Sequence, residues 1–353
     1  MYALINFIVL GIAGFLCFLP IKKEKRDNLC LIIIGFLLIF ISGFRGNFTP
    51  DYGNYDHIFR VIQTKSVKEL LMGDINVEIG YALFNKLISF FTTNYTVLLV
   101  VLSSIIVIIY FVKFKKNSPY PWLSILLLLN FGSYYTSFNT LRQFLVCALF
   151  ILAFEYIYKE NFLRYFIAVL CLFFVHKSAI LMIPFYFILR IRWNKVKNLL
   201  MITFFFFFYC VFLFFQDYFV SLITTVFYKN YSLSDAFGID TGVPILSILR
   251  PLVILAFLLI LSSKINFEDK KELVWFNSSV LLFLISLLSV NIEMFQRFTY
   301  YFLPYMTFQI PVIISRVSDK KMRVFLIVII MIIILSYSFL TNENSVYFFV
   351  WDN

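Results

Sequence analysis

Apolar runs of about 13 to 20 residues recur from one end of the chain to the other, separated by short polar stretches. They are readable at 1–20, 29–44, 95–112, 120–135, 139–158, 161–175, 178–190, 198–215, 244–263, 273–290, 298–315 and 324–341. About 20 apolar residues in helical conformation cross a bilayer's hydrocarbon core. The pattern therefore predicts an all-α polytopic membrane protein with about 12 transmembrane helices in a single domain over 1–353. Residues 1–20 have no Lys or Arg in front of them, and Lys22, Lys23, Lys25 and Arg26 follow at once. A cleavable signal peptide has the opposite order, so the first span is expected to be retained with its N-terminus outside. An even number of crossings returns the C-terminus to the same side.

Two places depart from this rhythm. Residues 45–94 form the longest outer loop, and within it Glu78–Phe91 repeats apolar residues at three- and four-residue spacing. That spacing predicts an amphipathic helix on the outer interface. Across 161–190 two short apolar runs flank His176-Lys177-Ser178, which predicts a broken helix pair lining a protein cavity. A second outer loop is expected at 216–243.

Composition agrees with the threading. The chain is 62% hydrophobic and only 14% charged, with a mean hydropathy of +0.91. Soluble domains run near 45–50% apolar and about 25% charged, so a soluble enzyme, a disordered chain and a fibrous repeat are excluded. The net charge of +11 would suggest nucleic acid in a soluble protein. Here 20 of the 30 Lys+Arg fall in segments threaded inside, whose net charge is +12, while the outer segments net −1. This is the positive-inside bias, and no nucleic-acid partner is expected. Cys17, Cys30, Cys147, Cys171 and Cys210 lie in or beside apolar runs without a CxxC pair, so they read as small buried hydrophobes.

Candidate chemistry lies in the minority of cations on the outer side. Arg45, Arg142, His176, Lys177, Arg250 and Arg297 sit at span ends or within apolar runs. Any one of them alone is explained by snorkelling, but several at one depth suggest a cationic cavity opening outward. Guanidinium forks suit phosphate oxygens, and a diphosphate at the outer face suggests a lipid-linked sugar donor. The loop from Arg45 to His57 holds Asp51, Tyr52 and Tyr55, a combination suited to sugar or to an ordinary turn made by Gly46, Pro50 and Gly53. Asp51 and Asp56 lack a third ligand, and two histidines make no metal cluster; no metal or other cofactor is expected. His176 is either a satisfied polar residue between helices or a neutral imidazole that takes a proton from a hydroxyl. Arg297 and Tyr300 share a helical face and suit either phosphate or an interfacial anchor.

In this order, Arg45…Asp51-Tyr52…Tyr55, Glu78-Ile-Gly-Tyr81 with Asn85, Asn139-Thr-Leu-Arg142-Gln143, His176-Lys-Ser178 and Arg297…Tyr300 resemble the EpsG-like branch of the Wzy-type polysaccharide repeat-unit polymerases. The resemblance covers about the first 300 residues. It implies a GT-C-type glycosyltransferase in a bacterial cytoplasmic membrane, with its active site on the outer face. The enzyme would join undecaprenyl-diphosphate-linked oligosaccharides into a surface polysaccharide, with membrane lipids, a chain-length regulator and a flippase as partners. It further implies Arg142, Arg250 and Arg297 on diphosphate, with Gln143, Lys177 and Tyr300 beside them on substrate. His176 would be base or acceptor orienter, Asp51 with Tyr52 and Tyr55 would meet sugar, and Arg45 would serve either phosphate or loop structure. Competing readings are a flippase for the same lipid, a membrane acyltransferase acting on glycans, and a scaffold within an export complex.

Overall fold

The computed structural model describes residues 2–73, 75–192, 248–290, 294–340 and 347–352, with isolated positions between 207 and 221. The expected span 198–215 and outer loop 216–243 therefore lie almost wholly outside the described residues. Among the described residues the fold is all-helical. Four helices are long and apolar enough to cross a membrane: α2 (Lys23–Gly43), α6 (Tyr95–Asn117), a bent pair over Leu141–Tyr158 and α14 (Lys270–Ser289). Shorter apolar helices include α1 (Tyr2–Phe18), α7 (Pro121–Asn130), α11 (Phe162–Phe173) and α13 (Leu249–Ile260). Near the C-terminus run α15 (Met294–Ser315) and α16 (Lys320–Leu340).

Several expected spans are interrupted. Gly132 takes φ +85°, a left-handed conformation that only glycine adopts cheaply, and it separates α7 from a single turn α8 (Ser133–Thr136). The run 139–158 bends at Phe154 between α9 (Leu141–Ala153) and α10 (Glu155–Tyr158). The break at His176 is present: α11 stops at Phe173, a 3₁₀ turn covers Lys177–Met182, and α12 is Phe185–Ile188. The Tyr165 hydroxyl on α11 donates to the Met182 carbonyl at 2.6 Å, bracing the two halves.

Tertiary contacts divide the chain into two compact units. The first holds residues 1–156, 162–183 and 307–353. Its spine is α2 against α6. A Cβ on Gly43 would lie 2.7 Å from the Val100 side chain and 2.9 Å from its Cα, so the absence of a side chain there lets the helices touch. One turn away, Ser103 Oγ donates to Ser42 Oγ at 2.8 Å. Asn6 of α1 and Asn130 of α7 exchange two side-chain hydrogen bonds of 2.9 Å in the interior, an arrangement that satisfies both amides and fixes helix register. On the polar end of α6, Lys113 and Lys116 both reach Glu155, at 2.6 and 3.2 Å.

The segment 45–94, expected as an outer loop, is helical to an extent the polar look of its first residues did not suggest. It contains α3 (Tyr52–Thr64), α4 (Val67–Leu71) and α5 (Ile79–Ser89). Tyr55, Phe59 and Ile62 of α3 recur at helical spacing and are buried, packing with Tyr81, Ala82 and Leu70 from α4 and α5. Ser66 and Glu69 close a capping box at the start of α4. The C-terminal residues return to this region: Phe348 accepts from the Gly46 N–H at 2.8 Å, Val350 donates to the Phe44 carbonyl at 3.0 Å, and Tyr347 donates to Ile41.

The second unit holds residues 157–161 and 184–306, with α13 packed on α14. Asn277 of α14 donates to the Leu189 and Ile191 carbonyls at 2.8 and 2.9 Å. Glu160, itself at φ 56°, joins Arg190 and Lys270 at 2.7 and 2.6 Å.

Replacing Gly43 with Leu should lower stability by about 1–3 kcal/mol, the usual cost of overpacking a tight contact. Thermal unfolding of the detergent-solubilised protein measures it; an unchanged midpoint would contradict the close α2–α6 packing.

Candidate functional site

The site grows from the junction of α5 with the end of α11. The Gly80 N–H donates to the Phe174 carbonyl at 2.7 Å, and a Cβ at Gly80 would stand 2.7 Å from that same oxygen. Glycine is required by this approach, not by its backbone angles. With the first turn of α5 held against the last residues of α11, Glu78 occupies the cap position of α5 without capping it. Its carboxylate turns to the neighbouring elements instead.

Three donors converge on that carboxylate. Arg142 Nη1, in the first turn of α9, donates to Oε2 at 2.6 Å. His176 Nδ1 lies 3.0 Å from Oε1, and the Lys177 backbone N–H donates to Oε1 at 3.3 Å. The Glu78 side chain is only 8% exposed, against 20% for Arg142 and 17% for His176. Burial pushes the Glu78 carboxyl up; the His176 hydrogen bond and the positive charge of Arg142 outweigh it and hold the group down at about 2. Arg142 also faces aromatic rings, its guanidinium carbon 5.7 Å from the Tyr55 ring centre and 6.0 Å from that of Tyr81. A cation in the first turn of a helix opposes the positive end of its dipole, and the Glu78 carboxylate offsets that cost.

The expected site residues are distributed unevenly around this centre. Tyr55 is buried beside Arg142, and Tyr52 packs edge-on against Tyr95 at 5.2 Å. Asp51 stands at the start of α3, where its N–H donates to the Asn139 side chain at 2.8 Å, tying that loop to the entry of α9. Gln143 is buried and the Lys177 side chain is exposed. Of the two roles open to Arg45, phosphate or loop structure, its contacts fit the second. It is 1% exposed, its guanidinium donates to the Ser42 and Phe138 carbonyls, and it lies 5.2 Å over the Phe138 ring. The Ser42 carbonyl at the end of α2 carries partial negative charge, and the guanidinium links it to the Phe138 carbonyl before α9. In the second unit Arg250 is half-buried on α13 and interacts electrostatically with Tyr300 of α15, while Arg297 is exposed.

A model of the EpsG family matches residues 28–351. The chain belongs to the EpsG family. The match reaches well past the first 300 residues that the motifs cover, taking in α16 and the returning C-terminal residues. No curated protein and no solved structure shows significant similarity. As an EpsG member built of apolar helices, the chain is a multi-pass membrane protein.

Glu78 is the functional candidate that residue-by-residue reading undervalued. It opens the Glu-Ile-Gly-Tyr motif, which carries no role for it by sequence alone. A signal was present: no Lys or Arg lies within four residues on either side, so an acid at the head of a half-buried helix must find its cation far along the chain.

Two outcomes follow from the geometry. Gly80→Ala should part α5 from α11 and abolish function while leaving a folded protein, checked by activity alongside size-exclusion behaviour. The Glu78 pairing is worth on the order of 3 kcal/mol, for a carboxyl that ordinarily titrates at 4.5 and here at about 2. Because the folded value is depressed, that stability is complete above pH 4.5 and is lost as the pH falls towards 2. The difference in unfolding midpoint between wild type and Glu78→Gln should shrink over that window.

Proposed function

We propose that this EpsG-family protein polymerises lipid-linked oligosaccharide repeat units at the outer face of a bacterial cytoplasmic membrane, with both termini outside. The observation that carries the reading is the meeting of α5, the start of α9 and the end of α11 around Glu78, all at chain positions that the charge pattern threads to the outer side. A paired carboxylate, guanidinium and imidazole at one membrane face suit group transfer more than passage of a charged head group, which needs cations reachable from both faces.

In the proposed reaction a hydroxyl of the acceptor repeat unit attacks the anomeric carbon of the donor sugar. The bond from that carbon to the diphosphate oxygen breaks, and its electron pair leaves with the polyprenyl diphosphate. His176 takes the hydroxyl proton. Arg142 lends positive charge to the departing diphosphate, with Gln143 and Lys177 beside it, while Asp51, Tyr52 and Tyr55 meet sugar. Arg250, Arg297 and Tyr300 are the second unit's candidates for phosphate. A diphosphate leaves already charged, so fixed cations suffice in place of a divalent ion.

Purified protein supplied with lipid-linked repeat units and a chelator should yield a ladder of products. Arg142→Ala and His176→Ala should each abolish the ladder and leave single repeat units on lipid. Normal chain lengths in both variants would overturn the site assignment. Movement of labelled lipid between leaflets without any ladder would select a transporter.

A further inference from the structure

His176 is one of only two histidines in the chain, and how it is held decides which nitrogen is available for chemistry. The partner at Nδ1 is the Glu78 carboxylate, 3.0 Å away. An ionised carboxylate accepts hydrogen bonds and cannot donate one. Glu78 remains ionised far below neutral pH, and its oxygens already receive Arg142 and the Lys177 N–H. The proton between Glu78 and His176 must therefore come from Nδ1. A neutral imidazole with its proton on Nδ1 has an unprotonated Nε2 at the opposite edge of the ring.

We infer that Glu78 is the positioning residue of this site, fixing His176 as the Nδ1–H tautomer so that Nε2 alone accepts the proton of the attacking hydroxyl. The inference deepens the polymerase reading and rests on it for the identity of that hydroxyl. Protons balance: the hydroxyl hydrogen passes to Nε2, its oxygen forms the new bond to the anomeric carbon, and the carbon–oxygen bond pair departs on the diphosphate. The imidazolium so formed lies beside a negative charge, which stabilises it as it develops. Two other charged groups bear on the ring. Arg142, reaching in from α9, shares Glu78 and opposes the imidazolium; Lys177 follows His176 in the chain with its side chain exposed. The neutral hydroxyls of Tyr55 on α3 and Tyr81 on α5 stand behind Arg142.

The experiment uses the full chain carrying His57→Gln, a change at an exposed position, so that ¹⁵N-histidine reports His176 alone. The expected spectrum at neutral pH is the Nδ1–H tautomer, and Glu78→Gln should convert it to a mixture. With lipid-linked repeat units as substrate, Glu78→Gln should slow polymerisation roughly tenfold to a hundredfold, within the range that base catalysis supplies. Glu78→Asp should restore the Nδ1–H tautomer and return the rate towards the wild-type value. A purely structural role would reduce the rate and leave the Nδ1–H tautomer in place. An Nε2–H tautomer in the wild type, or an unchanged Nδ1–H tautomer in Glu78→Gln, would overturn the inference. Absence of polymer from the wild type would overturn the polymerase reading instead, with the tautomer still testing the positioning role of Glu78.

Discussion

A carboxylate removed from water is normally driven to protonate, because the charged form loses its hydration. Glu78 avoids that fate by receiving a guanidinium, an imidazole and a backbone N–H in one place. The three donors come from α9 and from the cap and first residue of the 3₁₀ turn that follows α11, so satisfying one acid draws separate helices together at one end. Breaking any donor leaves a buried charge short of partners, a penalty larger than the value of the bond itself. The helices α3 and α5, the entry to α9 and the interruption at His176 are all held to this point.

The surrounding structure makes the arrangement rigid through close approaches and satisfied polar groups. Gly80 brings α5 against the Phe174 carbonyl, and Gly43 brings α2 against Val100. Asn139 links the start of α3 to the entry of α9, and Tyr165 braces the broken pair around His176. Arg45 is part of this framework: its guanidinium donates to the Ser42 carbonyl at the end of α2 and to the Phe138 carbonyl between α8 and α9, beside the returning residues 347–350. Two arginines of similar appearance in sequence thus sit in different surroundings. Arg142 has an acid opposite it and partial exposure; Arg45 has carbonyls and a ring.

Much was legible before any coordinates. Long apolar runs announced a membrane protein, and the short runs beside His176 announced a broken helix, because hydropathy and length are local quantities. The amphipathic stretch after Glu78 became α5 for the same reason. The helix α3 was less visible, since Asp51, Asn54, Asp56 and His57 masked the buried row Tyr55, Phe59 and Ile62. The interruption at Gly132 was likewise hidden within a run whose hydropathy is continuous.

Sequence alone determined the membrane-spanning class, the asymmetry of charge, most helix positions and the resemblance that the EpsG match bears out. Each depends on residues close together in the chain or on motifs in a fixed order. Only tertiary structure decided which charges meet. Glu78 stands 64 residues from Arg142 and 98 from His176, and no periodicity carries information over such distances. Packing brought the three together, because a buried acid with no cation nearby in the chain must find one through the fold.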